Sequence, residues 1–457
     1  MNLFGTAGIR GPVTEVTPEL ALSVGQAVAG HVQDRKGERD TVVVARDGRE
    51  TGAALTSAVE AGLTSGGVAV RRAGQLPTPA LAFASRGRHG IVLTASHNPP
   101  PDNGIKLFVD GTEYDREAEQ EIERRVGEGT TQATWDEWGE TERIEPLPAY
   151  REAVVRYART VGDSLDGLTI AVDCGTGMAS LGTPQVLGSL GADVQALNAN
   201  VDGHFPARES KPTAETLGDL RRFVKGGDAT FGIAHDGDAD RIVILDESGE
   251  VVHEDTVLAI LAEKYVSESE ASDPVVVTTP NASGRIDERV EEAGGRVERV
   301  RLGALHEGIA AAREAGTADT TVVFAAEPWK HIHPAFGEWI DGIASAAVLS
   351  LLIGERGLDR LREQVSERPY RKESVSCPDG RKEATMKKLR KTLPERFPEA
   401  AVDTDHGVRL GLEGGAWTLV RPSGTEPYIR VYAESEQVDG LVGDVVSYVE
   451  QAIQSGE

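Results

Sequence analysis

Three aspartates on alternating residues form the most informative cluster in the sequence: Asp236, Asp238 and Asp240. Arg241 follows them directly. Mg²⁺ prefers oxygen ligands in octahedral geometry and usually keeps positions for water and for a substrate phosphate. Three carboxylates match that preference, and the adjacent guanidinium suits a phosphate oxygen. The cluster therefore predicts a divalent-cation site that acts on a phosphate group.

Calcium-binding EF-hand loops use the same carboxylate spacing, and Glu247 stands at the twelfth position of such a loop. The glycine that an EF-hand requires at the sixth position is Arg241 here. Apolar runs of strand type, 231–234 and 242–245, flank the cluster where an EF-hand has helices. We therefore reject an EF-hand, and a solvated acidic turn is the alternative for this motif alone.

Ser96 is a candidate nucleophile, because it follows the apolar run 91–93 on a predicted loop beyond a buried strand. The prolines at 99–101 cannot continue a helix or a central strand, so they fix an irregular turn. A serine hydroxyl needs a nearby base or metal for activation. The aspartate cluster supplies that metal if the two loops meet, and a serine that only forms a turn is the alternative.

The Arg421 loop, residues 421–427, lies between two apolar stretches of strand type. Backbone N–H groups beside glycine can converge on an anion, and arginine can bind two phosphate oxygens. An ordinary hairpin loop is the alternative. We predict phosphate binding by Arg421, Ser423, Gly424 and Thr425, with Arg430 in the next strand. Together, the three segments predict phosphoryl transfer with a serine carrier, a metal and a remote phosphate clamp.

The sequence resembles the α-D-phosphohexomutase family, which includes phosphoglucomutase, phosphomannomutase and phosphoglucosamine mutase, over essentially its whole length. The resemblance rests on Phe4–Gly11, Arg46–Arg49, the Ser96 loop with Asn103–Lys106, the aspartate cluster and the Arg421 loop. It implies an α/β fold with three similar mixed-sheet domains and a smaller C-terminal α+β domain, arranged around a central cleft.

A phosphoserine mechanism is what the resemblance implies. Phospho-Ser96 gives its phosphate to a sugar phosphate, and the other phosphate of the bound sugar 1,6-bisphosphate returns to Ser96, so a 6-phosphate and a 1-phosphate interconvert. One Mg²⁺ per chain is implied, held by the three aspartates and by the Ser96 phosphate oxygen. The other residues implied around the chemistry are Arg10, His97, Lys106 and Arg241.

Lys106 is our choice of general acid and base, because a sugar hydroxyl must lose its proton as it attacks. Like charge from Mg²⁺ and arginine is expected to lower the pKa of Lys106. An exposed surface lysine on a strand start is the alternative.

The family's sugar-selecting loop usually reads Gly-Glu-x-Ser-Gly-His, and only Glu327 of that pattern clearly survives here. Glu327 can accept hydrogen bonds from sugar hydroxyls, Trp329 offers a flat face to a pyranose ring, and Lys330 is a further substrate-binding candidate. The loop resembles the archaeal phosphoglucosamine mutase-like branch. Because a carboxylate binds an ammonium at C2, we expect glucosamine phosphate as the best substrate, with glucose and mannose phosphates close behind. A second metal site at His331 and His333 is disfavoured, since residues i and i+2 of a strand simply lie on one face.

Strand-like and helical runs alternate along the chain, which is typical of an α/β protein. Polar segments near Pro146, Ser248 and Pro369 suggest boundaries. We predict domains at 1–148 with the serine loop, 149–250 with the metal loop, 251–368 with the sugar loop and 369–457 with the phosphate loop.

The chain has 48 basic and 74 acidic residues, a formal net charge of −26. Such a charge repels nucleic acid and negative membrane surfaces. We expect a sugar phosphate as the partner, a cytoplasmic protein without a signal or membrane segment, and a monomer or homodimer. Two distant cysteines predict no disulfide. The acidic excess suggests a high-salt cytoplasm, where the Debye length is about 3 Å at 1 M.

Three rival functions are weighed against phosphoryl transfer between sugar positions. A dinucleotide-binding turn begins at Gly175 but fails at its third glycine, where Ser180 stands, so we predict a strand-to-helix turn. A metal-dependent phosphatase would use Ser96 and pass the phosphate to water. A noncatalytic sugar-phosphate sensor would not need the intact serine, lysine and aspartates.

Overall fold

The computed structural model describes residues 3–5, 8–35, 40–424 and 426–454. The chain forms two compact units, and each is described by itself. The first unit consists of residues 1–254 and 329–361, and the second of residues 255–328 and 362–457. None of the described helices combines the length and apolar composition that a membrane span requires. Cys174 and Cys377 are both buried and free.

The first unit begins with a mixed seven-stranded sheet of order β1-β5-β4-β2-β3-β7, with β6 paired to β5. Its strands are β1 (Ile9–Pro12), β2 (Thr41–Arg46), β3 (Ala69–Gln75), β4 (His89–Leu93), β5 (Asp102–Val109), β6 (Thr112–Glu113) and β7 (Thr141–Arg143). Its helices are α1 (Pro18–Asp34), α2 (Gly52–Ser65), α3 (Thr78–Ala84) and α4 (Arg116–Glu128). Strands β2 and β4 are nearly continuous apolar runs because parallel strands are buried on both faces. The apolar run 91–93, predicted as a buried strand, lies within β4.

A second sheet of order β11-β10-β8-β9 follows in the same unit. Its elements are α5 (Leu147–Ala158), β8 (Thr169–Asp173), a 3₁₀ turn (Met178–Leu181), α6 (Thr183–Ser189), β9 (Asp193–Leu197), α7 (Gly218–Gly226), β10 (Phe231–Ala234) and β11 (Val243–Leu245). Strand β8 leads through Gly175 into the 3₁₀ turn, which confirms the strand-to-helix turn. The aspartate cluster fills the loop between β10 and β11, so strands rather than EF-hand helices flank it.

Residues 254–327 alternate helices and strands, and β12 pairs in parallel with both β13 and β14. The elements are α8 (Glu254–Ser267), β12 (Asp273–Thr278), α9 (Gly284–Glu292), β13 (Arg296–Arg299), α10 (Leu305–Ala315) and β14 (Thr320–Glu327). Residues 330–362 then form β15 (Lys330–His333), β16 (Gly337–Ile340), α11 (Gly342–Arg356) and α12 (Leu358–Arg362). Asp341 caps α11 by accepting from the backbone N–H of Ala344.

The C-terminal part is an antiparallel sheet of order β17-β21-β20-β19-β18 with two helices against it. Its elements are β17 (Tyr370–Ser376), α13 (Asp379–Arg396), β18 (Ala401–Asp403), β19 (Val408–Gly411), a 3₁₀ turn (Glu413–Gly415), β20 (Trp417–Pro422), β21 (Tyr428–Glu434) and α14 (Val438–Gln454). The Arg421 loop joins β20 to β21, as predicted. Mixed-sheet α/β domains with a C-terminal α+β domain confirm the expected fold class, and the four domain boundaries stay a prediction.

Candidate active site

Neighbouring strands of the first sheet position three of the predicted catalytic residues. Ser96 follows β4, Lys106 lies in the adjacent antiparallel strand β5, and Arg10 lies in β1 on the far side of β5. Asp236 lies two residues after the end of β10 of the second sheet and opens the aspartate cluster. Strand order therefore explains why residues distant in sequence can meet within the first unit.

Direct hydrogen bonds join the serine, the lysine and the aspartates. Ser96 Oγ donates to Asp236 Oδ2 at 2.7 Å. Lys106 Nζ donates to Asp238 Oδ2 at 3.1 Å and to Asp240 Oδ2 at 3.0 Å. All five side chains are buried. The structure thus brings the predicted nucleophile, acid/base and metal ligands into one buried cluster.

A buried guanidinium, that of Arg49, holds the loop that carries Ser96. Ser96 has a φ of 51°, a left-handed conformation that is uncommon for residues other than glycine and costs free energy. Arg49 Nε donates to Asp47 Oδ2 at 3.0 Å. Its two terminal nitrogens donate to four carbonyl oxygens of the loop: Ser96 at 3.0 Å, Asn98 at 2.7 Å, Pro99 at 2.7 Å and Asp102 at 2.8 Å. These bonds stabilise the unusual backbone of Ser96.

The three aspartates fit a divalent cation. Each offers a carboxylate oxygen within 4.8 Å of the others. Asp238 Oδ1 and Asp240 Oδ1 are buried and have no hydrogen-bond partner in the described part of the chain. Burial, and then the carboxylates of Asp240 and Asp238, raise the pKa of Asp236 above its ordinary value. Buried, mutually repelling carboxylates with unsatisfied oxygens are the donor set that a hard cation prefers.

Cations surround the same cluster. Arg241 Nε lies 3.7 Å from Asp236 Oδ2, and buried nitrogens of Arg10 and Arg241 lack hydrogen-bond partners among the described residues. Burial, and then Arg241 and Arg10, lower the pKa of His97 to about 3. His97 is therefore a neutral imidazole at pH 7, with Nδ1 at 3.4 Å from Ser96 Oγ. Unsatisfied guanidinium nitrogens beside the serine suit an anion such as a phosphate.

The chain's own groups shift the pKa of Lys106 opposite to the expected lowering, which counted Mg²⁺ among the nearby charges. Burial disfavours the charged ammonium, but the carboxylates of Asp238 and Asp240 outweigh burial and raise the pKa of Lys106 above its ordinary value. Sequence reasoning weighed the nearby cations and missed that two carboxylates are the direct partners. Lys106 is buried, so the alternative of an exposed surface lysine is also excluded.

Part of the predicted sugar-selecting loop lies against the aspartate cluster. Lys330 Nζ is 3.9 Å from Asp240 Oδ2, and the backbone of Lys330 forms an antiparallel bridge with Arg241. Trp329 has a φ of 73° and packs, half-buried, against an apolar cluster that includes Leu217 and Leu245. Lys330 thus contributes charge to the cluster, and packing uses part of the Trp329 face that was expected to contact a sugar.

His331 and His333 lie buried on one face of β15, as their spacing predicted. His331 Nδ1 is 3.0 Å from Ser345 Oγ, and His333 Nε2 is 2.8 Å from the same oxygen. Ser345 Oγ in turn lies 2.8 Å from the carbonyl oxygen of Asp341. This network gives both histidines a structural role at the start of α11.

The remaining predicted residues belong to the second unit. Glu327 accepts a hydrogen bond from the backbone N–H of Gly303. Arg421 Nη2 donates to the Tyr432 hydroxyl at 2.9 Å, and Arg430 pairs with Glu426. Ser423 and Gly424 lie in the turn of the Arg421 loop, with Ser423 buried. Thr425 lies outside the described residues, as do Thr6 and Ala7 of the N-terminal motif.

Two positioning residues were missed by sequence reasoning. Thr78 Oγ1 donates to Asp238 Oδ2 at 2.7 Å, and its backbone N–H donates to the Asp238 carbonyl at 3.0 Å. Ser210 Oγ donates to the Ser96 carbonyl at 3.0 Å. Thr78 follows β3 at the start of α3, so its position after a predicted parallel strand was an available signal. Ser210 lies in a long loop whose course no local pattern indicates.

Comparison with known proteins agrees with this geometry. Family models for phosphoglucomutase/phosphomannomutase match at residues 1–133 (alpha/beta/alpha domain I), 148–249 (alpha/beta/alpha domain II) and 374–450 (C-terminal domain). The chain is 41% identical over 443 residues to the phosphopentomutase of Thermococcus kodakarensis, which covers 95% of this chain and 94% of that protein. It is 42% identical over 443 residues, with the same shares, to a probable phosphoglucosamine mutase of Methanopyrus kandleri.

A crystal structure of a phosphoglucomutase/phosphomannomutase family protein from Burkholderia thailandensis matches with a TM-score of 0.85 at 26% identity, covering 99% of this chain and 97% of that one. The likeness therefore extends over the whole chain. Full-length relatives and three matched domains place the chain in the archaeal branch of the α-D-phosphohexomutase family, and it is an intramolecular phosphotransferase.

Proposed function

We propose that the chain interconverts the 6-phosphate and the 1-phosphate of a hexose or hexosamine through phospho-Ser96 and a bound sugar 1,6-bisphosphate. The observation that supports this proposal most directly is the 2.7 Å hydrogen bond from Ser96 Oγ to Asp236 within the buried aspartate cluster. A serine beside a cation site can accept and release a phosphoryl group. Unsatisfied nitrogens of Arg10 and Arg241 are available for the phosphate oxygens.

Two transfers complete one turnover. In the first, the bond between phosphorus and Ser96 Oγ breaks and a bond to the free sugar hydroxyl oxygen forms, which gives the bisphosphate. In the second, the other phosphate of the sugar returns to Ser96 Oγ. The attacking hydroxyl must lose a proton and the leaving oxygen must gain one, and Lys106 is our proposed residue for that exchange. A cation held by Asp238 and Asp240 would offset the two carboxylates that raise the pKa of Lys106.

A bound Mg²⁺, held by Asp236, Asp238, Asp240 and a phosphate oxygen on Ser96, would neutralise charge on the transferring group. The chain's own cations, Lys330 among them, lie beside the same carboxylates. Positive groups preorganised at the reacting centre stabilise charge that builds in the transition state.

Burial supports a mutase over a phosphatase. Ser96 and Lys106 are fully buried, and His97 beside them is half-buried. Exclusion of water protects a phosphoserine from hydrolysis, so the phosphate passes to the sugar. A noncatalytic sensor would have no need of the hydrogen-bonded serine, lysine and aspartates.

Glucosamine phosphate is our first choice of substrate, because Glu327 offers a carboxylate to a C2 ammonium and relatives of this chain are named phosphoglucosamine mutases. A pentose phosphate is the second candidate. It is favoured by the 41% identity to a protein named phosphopentomutase. Glucose and mannose phosphates follow.

A substrate panel tests the proposal. Purified protein with Mg²⁺ and the matching bisphosphate is assayed on glucosamine, glucose, mannose and ribose phosphates, with free phosphate measured in parallel. We expect isomerisation with little free phosphate and the highest kcat/KM for glucosamine phosphate. A higher kcat/KM for ribose phosphate would favour a pentose phosphate as the substrate. Release of free phosphate in proportion to substrate loss would identify a phosphatase.

A further inference from the structure

We propose that Lys382 is a positioning residue for the Arg421 loop, where it fixes the backbone that binds the remote phosphate of the substrate. The role rests on the proposed function, because it assumes that the loop binds a phosphate monoester. Lys382 lies in the first part of α13 and belongs to none of the motifs that identify the site.

Two hydrogen bonds connect Lys382 to the loop. Its Nζ donates to the carbonyl oxygen of Ser423 at 2.8 Å and to that of Glu426 at 2.5 Å. The two carbonyls stand on either side of the turn. Two carbonyl oxygens that converge on one ammonium restrict the backbone on both sides of the turn. Lys382 therefore holds the described backbone of the loop in place for binding of the phosphate.

Further hydrogen bonds hold the described residues of the loop on either side of the turn. The backbone N–H of Cys377 donates to the Pro427 carbonyl at 2.8 Å, and the N–H of Glu426 donates to Ser423 Oγ at 3.3 Å. The N–H of Ser423 donates to the Tyr428 carbonyl at 2.9 Å. A loop that is already ordered requires less ordering on binding, so it binds its ligand more tightly.

The positive charge of Lys382 also favours binding of a phosphate by the Arg421 loop. The Lys382 side chain is 12% exposed, whereas its ion-pair partner Asp379 is 79% exposed. A solvated carboxylate offsets the ammonium only weakly. Arg430 is already paired with Glu426, so Lys382 supplies positive charge beneath the loop in addition to Arg421. In a chain with a net charge of −26, such a local excess of positive charge favours a phosphate dianion.

Lys382→Met tests the role, because methionine keeps much of the aliphatic stem and removes the charge and the donors. Lys387→Met is the matched control, since Lys387 is an exposed lysine on the same helix. We expect KM for the sugar monophosphate to rise about tenfold, as for loss of one charge-assisted hydrogen bond, with kcat little changed. The inhibition constant of inorganic phosphate should rise in parallel. Lys387→Met should match the wild-type protein in both.

Lys382→Arg is the rescue variant, because a guanidinium can also donate to both carbonyls and keeps the charge. Its KM should lie close to the wild-type value. Should Lys382→Met fail to fold, Lys382→Gln takes its place, because it keeps a donor without the charge and should show an intermediate rise in KM. An unchanged KM in the folded neutral variant, or a fall in kcat alone, would overturn the inference.

Arg421→Ala separates this inference from the proposed function. A large rise in KM for Arg421→Ala, with none for Lys382→Met, would refute only the positioning role. An unchanged KM in both variants would show that the Arg421 loop does not bind the substrate phosphate, and the clamp in the proposed function would then be wrong.

Discussion

Replacing Arg49 with lysine should disable phosphoryl transfer without touching any group that contacts the phosphate. Arg49 holds four carbonyl oxygens of the Ser96 loop and the carboxylate of Asp47. Lysine keeps the charge but has fewer donors and no planar fork, so it cannot reach all five acceptors. Ser96 would then be free to leave its left-handed conformation.

The hydrogen bonds of Arg49 determine how far Arg49→Lys is expected to lower the free energy of unfolding and kcat. Loss of about two buried hydrogen bonds to a charged group, at about 1.5 kcal/mol each, lowers the free energy of unfolding by about 3 kcal/mol. A displacement of the serine by about 1 Å is expected to lower kcat by about 100-fold. KM should change little, because none of these hydrogen bonds of Arg49 is to a residue proposed to bind the sugar phosphate.

The assay combines urea unfolding with steady-state kinetics on the best substrate. Arg156→Lys is the matched control: Arg156 pairs with Glu152 in the same unit, and the two side chains are 71% and 76% exposed. An exposed pair contributes about 0–1 kcal/mol, so the control should be nearly normal in both measurements. If Arg49→Lys keeps a kcat within about twofold of the wild-type value, the positioning role is refuted.

Three further outcomes are expected. Asp238→Asn should weaken Mg²⁺ binding, measured by calorimetry, by at least about tenfold, and an unchanged affinity would contradict the metal assignment. Burial, and then the cations Arg35 and Arg125, lower the pKa of His31 from 6.5 to about 4, so stability is complete above pH 6.5 and falls as the pH drops toward 4, because the unfolded chain then binds the extra proton. His31→Phe should show a smaller loss of unfolding free energy over that pH range than the wild-type protein, by up to about 3 kcal/mol, and identical pH profiles would contradict the assignment. The net charge of −26 should make stability rise with KCl concentration through screening, and equal melting temperatures and activities at low and molar KCl would rule out adaptation to high salt.

Much of the fold could be predicted because buried strands of α/β domains are short apolar runs between turn signals. The run 231–234 coincides with β10, and the run 242–245 extends one residue beyond β11. The aspartates between them were therefore correctly placed on a loop, and their meeting with Ser96 followed from the chemistry that each needed.

The contacts that hold the site could not be predicted, because they join residues far apart in sequence. Arg49 was visible as part of a motif, yet its four carbonyl acceptors depend on how the Ser96 loop folds back. Lys382 gave no signal, since a lysine in a helix is ordinarily solvated. The sign of the Lys106 pKa shift depended on which charges are nearest, and that is a distance rather than a pattern.

Phosphorylation of Ser96 tests the central claim most directly. Protein incubated with the bisphosphate of its best substrate is digested and analysed by mass spectrometry, and turnover of Ser96→Ala is measured beside the wild-type enzyme. We expect phosphate on Ser96 and no more than about a thousandth of normal turnover in Ser96→Ala. When the bisphosphate carries isotope-labelled phosphate, addition of unlabelled monophosphate should replace the label on Ser96. Near-normal turnover in Ser96→Ala, or phosphate found only on another residue, would contradict the phosphoserine mechanism.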